Sequence, residues 1–71
     1  MKKYLIIIEK SGNGYSAYSP DIEGCVAFGF TKDEVESEIS AAIRLHLEGM
    51  KKEGYKPPEP KSYAKYMEIE E

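Results

Sequence analysis

The chain has one cysteine, one histidine and no long apolar run in its 71 residues. Each shortage excludes a class of architecture. With Cys25 alone, no disulfide can close within the chain. With His46 as the only imidazole, a Cys/His metal centre lacks the four ligands that a tetrahedral site takes. The apolar stretch Tyr4 to Ile8 is far short of the ~20 residues a membrane-spanning helix needs. Met1-Lys2-Lys3 before it looks faintly like a secretory signal, but Glu9-Lys10 ends the run ahead of any small-residue cleavage site. No membrane is expected as a partner, and a lone unpaired cysteine suits the cytoplasm. Positive charge is also in deficit: 10 Lys and Arg stand against 13 Asp and Glu, a net charge of −3. Such a chain is not expected to grip a nucleic-acid backbone directly. Mild acidity serves solubility, and it also suits a basic protein partner.

Small size has a consequence of its own. A domain of this length buries only about 60% of the surface its unfolded chain exposes. Small domains are usually stapled by disulfides, a metal or association with another chain. The first two are removed above, so a dimer or larger assembly is expected. No cofactor is called for.

The elements follow from periodicity and turn chemistry. Residues 2–10 read as a first strand, bulky and β-branched, with Tyr4, Ile6 and Ile8 on one face and Leu5 and Ile7 on the other. Apolar character on both faces marks a central strand. Ser11-Gly12-Asn13-Gly14 is a hairpin turn, because its glycines and asparagine tolerate positive φ. Residues 15–19 return as a second strand. Pro20 to Gly24 breaks it, and residues 25–30 form a third, with Val26, Phe28 and Phe30 opposite Cys25 and Ala27. Thr31-Lys32-Asp33-Glu34 is a capping box, with the Thr31 hydroxyl accepting from the helix and Glu34 reaching back to the Thr31 N–H. It opens a helix over about 32–53. Val35, Ile39, Ala42, Ile43, His46 and Met50 share its apolar stripe. Gly54 and Pro57-Pro58 end it. After a stiff proline-rich connector, residues 63–69 read as a last strand.

The expected fold is α+β, β-β-β-α-β, as one domain over residues 1–71. A three-stranded antiparallel meander is joined by a fourth strand parallel to strand 1, because strand-helix-strand crossovers are right-handed. The sheet order is then 3-2-1-4, with one helix on one face. A single helix covers a single face of a sheet. The other face is therefore bare, and carries either Leu5 and Ile7 or the Tyr4, Ile6, Ile8 set. An apolar patch with tyrosines at its margin marks an interaction surface.

A run of residues here matches a known pattern. Tyr18-Ser19-Pro20-Asp21-Ile22-Glu23-Gly24-Cys25-Val26 resembles a Pro-Asp-Leu-Pro-Gly-Cys-Val core. Gly29-Phe30-Thr31-Lys32-Asp33-Glu34 resembles the Gly-x-Thr-x-x-Glu step that follows it. Ala42 to Gly49 looks like the helix ending, and Pro57-Pro58-Glu59-Pro60 like the proline-rich exit. Together these resemble the HicB-like antitoxin family over about residues 15–60, in a short form. The resemblance implies a partial RNase H-like fold, homodimers or tetramers, and a protein that binds and neutralises a small basic mRNA-cleaving toxin of the HicA type. Relatives of full length carry a C-terminal DNA-binding domain; a chain ending at Glu71 is not expected to hold one. The residues expected to meet the toxin are Tyr18, Asp21, Glu23 and Phe28. Those expected at a self-association interface are Leu5, Ile7, Tyr66, Met67 and Ile69.

No catalytic residue is expected. His46 has Ala42, Ile43 and Met50 one turn away, none of which can act as a chemical partner. Cys25 opens a strand where a small buried hydrophobe fits. Metal-dependent nucleases use converging carboxylates. Of the candidates here, Glu34 is absorbed by the capping box, Glu38 lies off the apolar stripe, Glu9 ends a strand and Glu68 belongs to a charged tail. Asp21 and Glu23 carry two readings: turn chemistry after Pro20, or an acidic lip facing a basic partner. Two other functions stand beside the antitoxin reading, a solitary oligomeric interaction domain without a toxin and a metal-dependent nuclease remnant.

Overall fold

The computed structural model describes residues 2–71. Strands β1 (Ile7–Ser11), β2 (Gly14–Ser19) and β3 (Ile22–Gly29) precede one helix, α1 (Lys32–Lys52). The sheet is antiparallel throughout, in the order β1-β2-β3. The turn between β1 and β2 closes as expected around Gly12, whose φ is +58°.

The second hairpin departs from expectation. Pro20 to Gly24 does not interrupt the sheet fully. Pairing resumes at Ile22, opposite Ser19, and a register shift then carries the chain to Val26 opposite Tyr18. Gly24, at φ +82°, supplies the left-handed residue within this bulge. The detour turns Ile22 inward to 2% exposure, and makes it one of the two largest fully buried side chains beside Val35.

Alternation along the strands decides which face meets the helix. Ala17, Ile22 and Cys25 pack against Val35, Ile39 and Ile43 of α1. Tyr4, Ile6, Ile8, Tyr15, Ala27 and Leu47 close around them. Fully burying a side chain such as Ile22 or Val35 contributes about 1.5–3 kcal/mol. The helix approaches the end of β3 closely: a Cβ on Gly29 would lie 2.6 Å from the Val35 nitrogen.

Both helix ends are capped locally. The Thr31 hydroxyl accepts from the Glu34 N–H at 3.0 Å. The Glu34 carboxylate accepts from the Phe30 N–H, one residue earlier than the Thr31 N–H expected of it. At the other end Tyr55 N–H donates to Met50 O and Gly54 N–H to Lys51 O, with Gly54 at φ +84°. This is the paired 6→1 and 5→2 pattern that a left-handed residue permits.

The expected fourth strand is not formed. Residues 63–69 carry no strand pairing, so the order 3-2-1-4 is replaced by three strands. The reason lies in the connector. The Tyr4 hydroxyl donates to Pro58 O at 2.6 Å, and the Lys2 ammonium pairs with Glu59 at 2.9 Å. The chain then reaches the β2–β3 turn, where Asp21 accepts from the Lys61 and Ser62 N–H groups. The tail is thus drawn past the β1 edge and fastened beyond β2.

Candidate protein-docking surface

The sheet face away from α1 has no cover among the described residues. Pairing puts Ile7, Tyr18 and Val26 in one row across the three strands, and Glu9, Ser16 and Phe28 in the next. Alternation places all six on the uncovered side. Val26 is 72% exposed, Phe28 48% and Tyr18 38%. Phe30 extends the patch, its ring edge-on to Phe28 with centroids 5.3 Å apart. Leu5 is half-buried and two residues along from Ile7. The pair left uncovered is therefore Leu5 and Ile7, and the Tyr4, Ile6, Ile8 set packs toward the helix.

Contiguous exposed aromatic and aliphatic groups are costly in water and characteristic of contact surfaces. Glu9 on this face and exposed Glu23 at the head of β3 set negative charge beside them. The face can thus offer apolar anchors with Glu9 and Glu23 at its margin, and exposed Lys3 beyond Leu5 on the same side.

The expected contact residues divide. Tyr18 and Phe28 share the bare face. Glu23 is exposed in the bulge. Asp21 has another task. Its Oδ2 accepts from the Lys61 and Ser62 N–H groups, and its Oδ1 from the Ser62 hydroxyl, each at 3.0 Å. These bonds, the Ser62 N–H foremost, hold its carboxyl below the ordinary value. Tyr66, Met67 and Ile69 are at least 71% exposed, so they are not packed on Leu5 and Ile7. Val26 and Phe30 were missing from the expected contact set, although the alternation that selects Phe28 selects Val26 too.

The groups with chemical potential lie apart. Cys25 is 5% exposed, and burial pushes its thiol up, away from the reactive thiolate. His46 is half-buried on α1. Glu34 is engaged in the cap, while Glu9, Glu38 and Glu68 are exposed on a strand, the helix and the tail. Among the described residues no three His, Cys, Asp or Glu side chains stand close enough to hold a metal ion. Among the described residues no helix is long and apolar enough to cross a membrane.

The described chain is a small sheet with one helix on one face and exposed aromatic side chains on the other. Comparison with known proteins gives its family. Residues 4–71 match the model of the HicB-like antitoxin of bacterial toxin-antitoxin systems, and the chain belongs to that family. It is 40% identical over 57 residues to a UPF0150 protein of Thermoplasma acidophilum, covering 79% of this chain and 83% of that one. It is 34% identical over 64 residues to an uncharacterized 14.9 kDa protein from the rep-hol intergenic region of Haemophilus phage HP1, covering 90% of this chain. The chain spans about half, 48%, of that phage protein's length. Among solved structures, a chain of the HicA3 and HicB3 toxin-antitoxin complex superposes with a TM-score of 0.69 at 35% identity, over 83% of this chain and 70% of that one.

Proposed function

We propose that this chain is a non-catalytic antitoxin module that binds and neutralises a small basic mRNA-cleaving toxin of the HicA type, and that it works as a homodimer or tetramer in the cytoplasm. The observation that carries the reading is the uncovered face of Ile7, Tyr18, Val26 and Phe28. Its rings supply the rigid apolar anchors that dominate protein interfaces. Its acidic margin complements a cationic partner, raising the association rate and suppressing wrong partners. Inhibition follows by occlusion: a surface that seats on the toxin's basic RNA path needs no chemistry of its own. Family membership and the likeness to a chain of a toxin-antitoxin complex support the same reading. A partial RNase H-like character of the fold belongs to this reading.

The test is co-expression with the product of the adjacent gene, which the proposal expects to be a small basic protein. The expected result is arrest of growth and loss of mRNA when the neighbour is expressed alone, and relief of both when this chain is added. A neighbour without toxicity, or toxicity unrelieved by this chain, contradicts the proposal.

A further inference from the structure

Beside β1 the molecule leaves a groove of about 840 Å³. Tyr4, Ile6 and Ile8 form one wall, and Ile39, Ile43 and Leu47 of α1 form the other. Three cations, Lys2, Arg44 and Lys51, stand along it with a single carboxylate, Glu36. The floor is an open sheet edge, because β1 is bonded to β2 alone. An unpaired edge of this kind is a template for another strand. It lies at the opposite side of β1 from β2, and is separate from the bare sheet face described above.

The same molecule carries a segment with the complementary properties. Residues 63–71 have no secondary structure, and Tyr63, Tyr66, Met67 and Ile69 are 86%, 103%, 71% and 75% exposed. Met67 and Ile69 fall on one side by alternation, as strand side chains do. Glu68, Glu70 and Glu71 give the segment a negative end. At about 3.3 Å per residue, residues 63–69 span roughly the length of the extended stretch from Tyr4 to Ser11. Three bonds to Asp21 hold its root beside the β2–β3 turn, and the segment itself stands off its own groove, exposed.

We infer that the 63–71 segment of one copy docks as a fourth strand on the β1 edge of a second copy, with Met67 and Ile69 in the apolar groove and Glu71, on the same side by alternation, toward Arg44 and Lys51. Exchange in both directions gives a closed two-fold dimer, the arrangement that arm swapping favours. Each copy then covers its partner's half-buried Tyr4, Ile6, Ile8 and Leu47 and satisfies the partner's open backbone edge. Asp21 anchors the root of the arm beside the β2–β3 turn and leaves residues 63–69 extended and exposed for exchange.

This deepens the self-association half of the proposed function, and the test separates the two. The full chain and its Met67→Glu/Ile69→Glu variant are compared by sedimentation equilibrium, with circular dichroism as the check on folding and amide hydrogen exchange as the local probe. The expected result is a dimer of the 8.0 kDa chain with protected amides in residues 63–69, and a folded monomeric variant with those amides unprotected. A dimer that persists in the variant leaves self-association standing and overturns arm exchange. A full-length monomer overturns both. Protection that arises only when a basic partner protein is added assigns the arm to that partner and likewise overturns the inference. As a control on charge alone, Met67→Leu/Ile69→Leu is expected to dimerise like the parent.

Discussion

Asp21 and Ser62, 41 residues apart, are joined twice: the Ser62 N–H and the Ser62 hydroxyl each donate to the Asp21 carboxylate at 3.0 Å. A third bond from the Lys61 N–H makes this turn residue the clasp of the proline-rich connector. The ionised carboxylate is the form that accepts all three, so its folded pKa lies below the ordinary 3.8. The clasp is therefore fully closed above about pH 4 and opens as acid protonates the carboxylate through the lowered value. The Lys61 and Ser62 amide resonances should move to unfolded-chain positions over that acid range, and Asp21→Ala should place them there at neutral pH. Resonances unmoved by either change would show that the clasp does not hold the connector.

Ile39 is 2% exposed and sits between the sheet and the centre of α1. Ile39→Ala leaves a cavity and should cost about 2–5 kcal/mol, a large part of the stability of a domain this size. Urea denaturation should show a lower midpoint with an unchanged slope.

Gly29 and Gly49 make a contrasted pair. A Cβ at Gly29 would meet the Val35 nitrogen at 2.6 Å and its Cα at 2.9 Å, both backbone atoms. Gly29→Ala should therefore push the helix start away from β3 and destabilise by about 1–3 kcal/mol. Gly49 lies within α1 with nothing near its missing Cβ. Gly49→Ala should stabilise by about 0.5–1 kcal/mol through helix propensity. Thermal melts of the two variants should shift in opposite directions.

The Cys25 thiol is buried against the helix, with Ala42 O at 3.9 Å, and burial raises its pKa. Its reaction with an aromatic disulfide reagent should be slow in the native protein and become fast in denaturant. Rapid labelling under native conditions would contradict the packing of β3 on α1.

Much of this was legible in the sequence because local chemistry and long-range packing agree there. The Thr31 cap, the Val35-Ile39-Ile43 stripe and the Gly54 stop are each set within one or two turns of helix, so pattern suffices. The Gly12 turn and the alternation of residues 25–29 fix two hairpins in the same way. Ile22 was hidden because it stands between Pro20 and Gly24, where turn residues dominate, and its burial depends on a register shift that no local pattern encodes. The last strand failed for the opposite reason. Residues 63–69 alternate well, but Asp21, a residue of another loop, holds their root beside the β2–β3 turn. Tyr18 and Phe28 were readable as a shared face once the strands were in register; the second role of Asp21 was not, since it depends on Ser62 arriving from the far end of the chain.

The central claim is that the bare sheet face is where a basic protein partner seats. It is tested most directly by calorimetric titration of the protein encoded by the adjacent gene into the parent chain and into Tyr18→Ala/Phe28→Ala, whose exposed side chains can be removed with little effect on the core. The account predicts tight binding to the parent, and a loss in the variant of at least about 2 kcal/mol, roughly thirtyfold, with unfolding temperature preserved. Equal affinity for the two proteins would contradict it.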